Sequence, residues 1–280
     1  MQILTFLRKM KTKLGEAGIA EYAMPLNIDT ESAGSSLALN EFLEKKLSLN
    51  FTGQINCVSC NRSIKKSFNQ GYCYPCFQKL AECDMCIVKP ELCHFDEGTC
   101  RDNNFAMNYC NIPHSIYISL TSSVKIGITR GNNEIHRWID QGAVKAQRLL
   151  LVKRRKFAGL IEVELAKSMK DKTDWRKMLK NEYEETSLAE LKPKLLDNIR
   201  DLLKNNLELD DAEFIDLDTS ELEIKYPVIE FPKKVNSFNL DKNPKLEGTL
   251  LGIKGQYLIF DTGVINIRKY AGYRVSLEIN

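Results

Sequence analysis

All nine cysteines of this 280-residue chain lie between Gly53 and Cys110. They form three Cys-x-x-Cys pairs, Cys57/Cys60, Cys73/Cys76 and Cys83/Cys86, followed by the single residues Cys93, Cys100 and Cys110. Two thiolates two residues apart can reach one metal ion, and two such pairs complete a tetrahedral shell. Twelve residues separate the first two pairs, which is typical of a zinc ribbon or treble-clef knuckle. We therefore predict a structural zinc site at the first two pairs.

The remaining cysteines predict a second metal site. Cys83, Cys86, Cys93 and Cys100 supply four ligands, with His94 as a substitute, and Cys110 is left over. Because spacing alone does not separate iron from zinc, an iron–sulfur cluster stays open for this set. Disulfides need an oxidising compartment, and nothing in the sequence routes the chain to one. We expect two structural zinc sites, with iron–sulfur as the alternative at the second.

Length and composition bound the class of protein. A chain of 280 residues is long enough for two or three domains, and 43% hydrophobic with 28% charged residues excludes wholesale disorder. The N-terminal residues carry charge where a signal peptide would have its apolar core. No run of eighteen apolar residues occurs in the sequence, so we expect no membrane span. These features predict a cytoplasmic, reduced protein, which suits thiolate metal sites.

The charges are unevenly distributed. Nine Lys or Arg and two acids lie between Lys125 and Lys156, whereas eight acids and no base lie between Asn205 and Glu223. A local positive field recruits phosphates, which favours a nucleic-acid partner, although two solvated faces that balance each other are an alternative. Lys65 and Lys66 lie near aromatic residues in the first knuckle, where they suit either nucleic acid or an ordinary solvated hairpin.

The periodicity of apolar residues predicts an α+β fold. The expected N-terminal strands are Leu4–Met10, Ile19–Leu26, Ser36–Phe42 and Lys46–Phe51. A central unit follows, with a hairpin over Ser115–Ile128, a helix over Ile135–Ala146, a strand over Leu149–Val152 and a helix over Phe157–Met169. A helix over Ser187–Asn206, interrupted at Pro193, leads to C-terminal strands over Gly248–Ile253, Gln256–Phe260, Val264–Arg268 and Tyr273–Ile279. We expect the N- and C-terminal strands to form a small β-barrel or sheet together.

These elements divide the chain into five predicted segments. They are an N-terminal β segment (1–52), a zinc-binding region (53–112), a central domain (113–185), a helical and acidic connector (186–223) and a C-terminal β domain (224–280). The acidic part of the connector is expected to be a linker or a strand with a solvated face.

The central domain contains two short motifs, Ser115-Ile116-Tyr117 and Lys125-Ile126-Gly127, with Arg137 early on the next helix and Glu162 on the last one. In these residues it resembles the GIY-YIG nuclease-like fold, whose two half-motifs they would be. Nearly the whole chain also resembles the DUF2797 proteins, an uncharacterised bacterial family. The stretches that carry this second resemblance are Lys66–Cys76, Lys125–Arg130, Arg137–Ala143, Asp171–Arg176 and Gly252–Tyr257.

The GIY-YIG resemblance implies single-metal hydrolysis of phosphodiesters. Glu162 would hold Mg²⁺, Tyr117 would take a proton from the attacking water, and Arg137 would stabilise developing charge. Two positions depart from the family pattern, because Lys125 replaces the tyrosine of the second half-motif and Gln141 stands where Tyr or His is common. Lys125 keeps a cation that can neutralise a phosphate.

We therefore expect a zinc-containing protein that binds nucleic acid, DNA or RNA, through a basic GIY-YIG-like groove. The residues expected to contact nucleic acid are Lys65, Lys66, Arg130, Lys153, Arg154 and Arg155. Binding ranks ahead of catalysis because Lys125 and Gln141 break the catalytic pattern and leave the basic surface intact. The alternatives are a Mg²⁺-dependent endonuclease and a zinc-stabilised protein-interaction scaffold.

Overall fold

The structure is a computed structural model that describes residues 1–26, 35–169, 173–205, 214–215 and 220–280. Its strands are β1 (Gln2–Phe6), β2 (Lys11–Leu14), β3 (Ala20–Pro25), β4 (Ser36–Ala38), β5 (Lys46–Asn56), β6 (Ser63–Ile64), β7 (His114–Leu120), β8 (Val124–Arg130), β9 (Lys145–Val152), β10 (Phe214–Ile215), β11 (Leu222–Glu223), β12 (Lys245–Lys254), β13 (Tyr257–Phe260), β14 (Gly263–Asn266) and β15 (Tyr273–Ile279). Its helices are α1 (Tyr74–Lys79), α2 (Met85–Val88), α3 (Asn103–Phe105), α4 (Glu134–Gln141), α5 (Arg155–Ser168), α6 (Trp175–Leu179) and α7 (Leu188–Asn205).

The chain forms two compact units. Unit 1 consists of Met1–Gln78, Ile139–Gly142 and Lys225–Asn280, and unit 2 consists of Lys79–Trp138 and Ala143–Ile224. The first two cysteine pairs belong to unit 1, and the other five cysteines belong to unit 2. The region 53–112, which was predicted to be one zinc-binding segment, is therefore divided between the two units.

Unit 1 is built on a sheet that unites both ends of the chain. The strand order is β1-β15-β5-β12-β13-β14, with β6 paired to β5, and neighbouring strands are antiparallel. Along β15 buried residues alternate with half-buried ones, as expected for a strand with one face on a core. The predicted sheet of N- and C-terminal strands is confirmed, and over the described residues it is an open sheet and not a closed barrel.

A second sheet of unit 1 contains β2, β3 and β4. The predicted strand over Ser36–Phe42 is only partly right, because β4 ends at Ala38 and a 3₁₀ turn covers Leu39–Phe42. Leu39 is fully buried in this turn, so its apolar side chain belongs to the core without belonging to a strand. A short apolar run does not distinguish these two cases.

Unit 2 is built on the sheet β10-β9-β7-β8, with β11 also paired to β9. The predicted hairpin is confirmed as β7 and β8, which pair with Tyr117 opposite Gly127 and Ser119 opposite Lys125. Buried side chains of this sheet and of two helices form one core, whose members include Ile116, Ile118, Ile126, Leu150, Phe157, Ile161, Leu165, Leu195 and Ile199. The core therefore fixes α5 and α7 on the sheet.

Two predicted helices differ from the structure by more than one or two terminal residues. Helix α4 ends at Gln141 and not at Ala146, because Gly142 adopts φ +74° and Ala143 N–H donates to the carbonyl of Trp138, a left-handed C-terminal cap. Ala146 lies in β9, where its burial contributes to the sheet. Helix α7 continues through Pro193, so the predicted interruption is wrong.

Most of the acidic stretch between Asn205 and Glu223 lies outside the described residues. The parts that are described include β10 and β11, which pair with the two ends of β9. Glu221 accepts the N–H of Leu188 at the start of α7, at 2.9 Å. This carboxylate therefore serves a fold contact at a helix N-terminus, where negative charge is favourable.

Candidate metal centre and basic cavity

The first cysteine pair is shaped by a tight turn that follows β5. Cys57 comes directly after the strand, and its N–H donates to the carbonyl of Arg62 at 2.9 Å. Asn61 closes the turn in the left-handed region with φ +57°, and its N–H donates to the carbonyl of Cys57 at 3.0 Å. Asparagine tolerates this conformation better than most residues, so the local sequence suits a knuckle that points two thiols the same way.

The second pair lies at the start of helix α1. Cys73 precedes the helix and Cys76 lies in its first turn, and Phe77 N–H donates to the carbonyl of Cys73 at 2.9 Å. The chain reaches Cys73 through a reversal between Phe68 and Tyr72. A hairpin knuckle followed by a helix that carries the second pair is the treble-clef arrangement, one of the two predicted from the spacing.

The four thiols of these pairs converge. The sulfur atoms of Cys57, Cys60, Cys73 and Cys76 all lie within 4.8 Å of one another. The Cys60 and Cys73 sulfurs are 3.7 Å apart, close to the roughly 3.8 Å that a tetrahedral zinc ion with 2.3 Å bonds requires. The backbone N–H of Cys73 donates to the Cys57 sulfur at 3.2 Å, and Arg62 Nε donates to the Cys60 sulfur at 3.1 Å. The site fits one metal ion, and its all-thiolate donor set suits zinc.

The protonation of these thiols also favours a bound cation. The backbone N–H of Arg62 contributes most to lowering the pKa of Cys60 to about 6. The neighbouring thiol of Cys73, with burial, raises the pKa of Cys76 to about 12. Four sulfurs in contact cannot all ionise without positive charge between them, and a divalent ion supplies that charge.

The other five cysteines lie in unit 2. Cys86, Cys93, Cys100 and Cys110 line one small cavity, whereas Cys83 is buried outside its lining. The ligand atoms of Asp84, Cys86 and His94 form the second group within 4.8 Å among the described residues. Asp84 already has partners, because it caps α2 through the Cys86 N–H and binds Arg101 at 2.6 Å. The cavity is thus lined by Cys86, Cys93 and Cys100, three of the four cysteines predicted for a second site, and by Cys110 in place of Cys83.

Glu162 on α5 lies half-buried among cations. Burial raises the pKa of its carboxyl group, and the charges of Lys125 and Arg137 oppose that rise. Lys125, Glu162 and Glu91 line a cavity of ≈ 230 Å³, which we call the Glu162 cavity. The structure therefore brings together three of the four predicted catalytic residues.

Tyr117 is placed differently. Its side chain is fully buried in β7, edge-on to Trp138 with the ring centroids 5.9 Å apart. A Cβ atom at Gly127 would lie 2.5 Å from the Tyr117 hydroxyl, so the glycine of the second half-motif makes room for the tyrosine ring. Among the described residues that line the Glu162 cavity, Tyr117 does not appear. This environment suits a packing role for Tyr117.

The residues predicted to contact nucleic acid are dispersed. Lys65 and Lys66 follow β6 in unit 1, and the Lys66 ammonium lies 5.5 Å from the Phe68 ring centre. In unit 2 the Arg130 guanidinium lies over Tyr109 at 4.2 Å. Arg154 pairs with Asp96 at 2.8 Å. Lys153 and Arg155 flank Arg154 in the sequence. Lys153 is exposed, and Arg155 donates to the carbonyl of Ile87 at 2.6 Å. Arg154 and Arg155 thus contribute to the fold.

A larger cleft of unit 2 lies beside the Glu162 cavity. Its volume is ≈ 1000 Å³, and Trp175, Arg176, Lys177 and Tyr183 are among its lining residues. Val124 and Met169 line both spaces, so the two adjoin. We call it the Trp175 cleft. In the sequence, Asp171–Arg176 carries only a family resemblance, and the signal for a binding surface was a tryptophan next to an arginine, Trp175-Arg176.

Unit 2 also contains a buried polar network that the sequence analysis did not predict. Glu134 on α4 is buried and accepts hydrogen bonds from the Ser115 hydroxyl and from Arg148. These residues link β7, β9 and α4 within unit 2, and a buried charge is tolerated here because it is paired. No spacing pattern predicts such a network, because its members are far apart in the sequence.

Together, these features define a mixed α/β protein with antiparallel sheets and a four-thiol site able to bind one metal ion. The chain belongs to the family described as "Protein of unknown function (DUF2797)", whose model matches residues 44–275. Neither the curated proteins nor the solved structures contain a significant match to the chain. Within the described residues, no helix has the length and apolar character needed to cross a membrane.

Proposed function

We propose that this protein binds single-stranded nucleic acid along the Glu162 cavity and the Trp175 cleft, with a zinc ion at the four-thiol site as a structural centre. The observation that carries the proposal is that the two spaces adjoin at Val124 and Met169. One end then offers the cation of Lys125, and the other offers the aromatic rings of Trp175 and Tyr183. Single-stranded nucleic acid is held by this combination of charge and stacking.

The aromatic end suits base stacking more than charge. The Arg176 guanidinium lies 4.4 Å from the centre of the Trp175 ring, which gives a composite planar surface. Acidic residues also line the cleft, but Asp174 caps α6 through the N–H of Arg176 and Glu182 pairs with Lys180. Stacking tolerates any base, so we expect little sequence preference.

The order of elements in unit 2 supports the GIY-YIG resemblance. Hairpin β7–β8, helix α4, strand β9 and helix α5 follow one another as that fold requires, with Arg137 on the first helix and Glu162 on the second. In this arrangement the cations near Glu162 would contact the phosphate backbone, where guanidinium and ammonium groups are favoured.

Binding is tested with a fluorescein-labelled single strand of about 15 nucleotides, as DNA and as RNA, by anisotropy over a salt series. We expect Trp175→Ala to weaken binding roughly 5- to 100-fold, since stacking contributes about 1–3 kcal/mol per base. Lys125→Glu should lower the slope of log affinity against log salt by about one. The matched controls are exposed residues of unit 1, Tyr74→Ala and Lys11→Glu. Equal effects of test and control variants would refute this surface and leave the interaction-scaffold alternative.

One observation favours a second function, Mg²⁺-dependent phosphodiester cleavage. The carboxylates of Glu91 and Glu162 line the same cavity, and carboxylate oxygens are preferred Mg²⁺ ligands. In this function Glu162 would hold the ion, Arg137 would stabilise charge on the phosphate, and Tyr117 would keep β7 and β8 packed.

The Glu162→Gln variant separates cleavage from binding. The amide keeps the size of the side chain and removes the charge, so cleavage with Mg²⁺ should fall on the order of a hundredfold or more while binding persists. Gel analysis of a labelled strand, with and without Mg²⁺, measures the first effect, and anisotropy measures the second. Persistent cleavage by Glu162→Gln would exclude this carboxylate as the metal ligand.

A further inference from the structure

A second thiol cluster lies in unit 2, within a segment of short helical turns. The segment from Ala81 to Cys110 contains only α2, α3, 3₁₀ turns and a π turn, each of five residues or fewer. Such turns are not stable alone. The small cavity at their centre is lined by Cys86, Cys93, Cys100 and Cys110, together with apolar residues that include Ile87, Phe95, Phe105 and Ala106.

The spacing of these thiols differs from that of the first centre. Among the described residues, the four thiols of the first two pairs form a group within 4.8 Å, whereas these four do not. A tetrahedral zinc ion needs sulfurs about 3.8 Å apart. In a four-iron cluster each thiolate binds a different iron, so the sulfurs stand further from one another. Thiols that line one cavity without all lying within 4.8 Å of one another therefore suit a cluster better than a single ion.

The volume of the cavity also favours a cluster over a single zinc ion. The cavity measures ≈ 10 Å³, about the volume that one water-sized sphere needs. Four sulfurs in contact with one zinc ion leave no such space at their centre. The lining also includes Asp84, His94 and Arg101, and Asp84 is already paired with Arg101 and with the N–H of Cys86.

A partly buried cation, Arg155, lies near this cluster. Arg155 donates one N–H to the carbonyl of Ile87 at 2.6 Å, and its charge acts on the Cys110 thiol. Its Nε atom is buried and has no hydrogen-bond partner among the described residues. A cluster held by four thiolates carries net negative charge, and a nearby guanidinium offsets it.

We infer that Cys86, Cys93, Cys100 and Cys110 bind a [4Fe–4S] cluster. Each thiol loses its proton and binds one iron, and the cluster cross-links turns that have little core of their own. The Asp84, Cys86 and His94 group does not serve as a competing site, because Asp84 is engaged by Arg101 and by the cap of α2. The inference does not depend on the proposed function, since it concerns only these side chains.

The test uses the full chain purified without oxygen and then supplied with equal amounts of ferrous and ferric iron and with sulfide, so that the cluster assembles without a further oxidant. We expect about four iron and four sulfide per chain, and a broad visible absorbance that bleaches on reduction. The Cys110→Ala and Cys93→Ala variants should each lose most of that iron. Cys83→Ala is the matched control, because Cys83 is a buried cysteine of the same segment outside the cavity, and it should retain the iron.

Three outcomes would overturn the inference. One is two zinc ions per chain and no iron after reconstitution. Another is a chain that stays folded with neither iron nor a second zinc. The third is iron that survives Cys110→Ala but is lost in Cys83→Ala. If Cys110→Ala does not fold, the iron and sulfide content of the unaltered chain and of Cys93→Ala, whose cysteine is half-buried, decides the question.

Discussion

Replacing Cys57 by serine should release about one zinc ion per chain and unfold the segment from the end of β5 to the end of α1. The Cys57 side chain is fully buried, and its sulfur accepts the N–H of Cys73. Serine offers a hard oxygen in place of a soft thiolate, which weakens the shell around zinc. Loss of this ligand should therefore remove the ion.

The segment has little else to hold it. Between Cys57 and Lys79, where every residue is described, the buried residues are Cys57, Gly71 and Cys73. The thiols are thus the core of this stretch, and we expect metal binding to supply its folding energy. Structural zinc contributes roughly 10–16 kcal/mol of apparent binding energy in small zinc domains, as much as the whole stability of many proteins.

Elemental analysis and hydrogen exchange measure this prediction. Zinc should fall from about one ion per chain toward zero, and the amides of β6 and α1 should lose their protection. Cys83→Ser is a suitable control, since Cys83 belongs to unit 2 and should leave this zinc in place. A zinc-free Cys57→Ser protein with full protection in α1 would show that the thiols are not the core.

The first metal site was predictable because its chemistry is local. Two Cys-x-x-Cys pairs at a fixed spacing need only a knuckle and a helix start, and the sequence places both. The spacing also grouped Cys86, Cys93 and Cys100, but it added Cys83, whereas the cavity of unit 2 is lined by Cys110, which follows a series of irregular turns. Spacing identifies ligands only where the backbone between them is regular.

The sequence predicted which strands and helices are present better than it predicted where they end. Apolar alternation located β15 to the residue and placed β7 and β8 correctly. The end of α4 was missed, because Ala143 and Ala146 continue an apolar stripe beyond the glycine that stops the helix. The burial of Tyr117 could not be predicted either. A strand motif does not show which face of the sheet a helix will cover, and here Trp138 of α4 packs against the Tyr117 ring.

The turn at Gly272, between β14 and β15, links three parts of unit 1 through its backbone. Gly272 has φ +90°, its N–H donates to the carbonyl of Leu7, and its carbonyl accepts the N–H of Asn56. It thereby joins the chain after β1, the end of β5 and the start of β15. Asn56 is the residue before Cys57, so this turn also supports the metal centre.

Gly272→Ala should destabilise unit 1 much more than Gly53→Ala. Both glycines have positive φ, +90° and +85°, and this alone costs an alanine about 1 kcal/mol. A Cβ at Gly53 meets nothing within 4 Å, whereas one at Gly272 would lie 2.4 Å from the carbonyl oxygen of Asn56. Relieving that clash must move backbone, at a further cost of roughly 1–3 kcal/mol.

Urea unfolding of the two variants measures the difference directly, because the shared cost of positive φ cancels. We expect Gly53→Ala to lose about 1 kcal/mol of unfolding free energy and Gly272→Ala to lose about 2–4 kcal/mol. Gly272→Ala should also release zinc at a lower chelator concentration, since displacing Asn56 displaces Cys57. Equal stability of the two variants would mean that the sheet yields at Asn56 without cost, and the metal centre would then not depend on this turn.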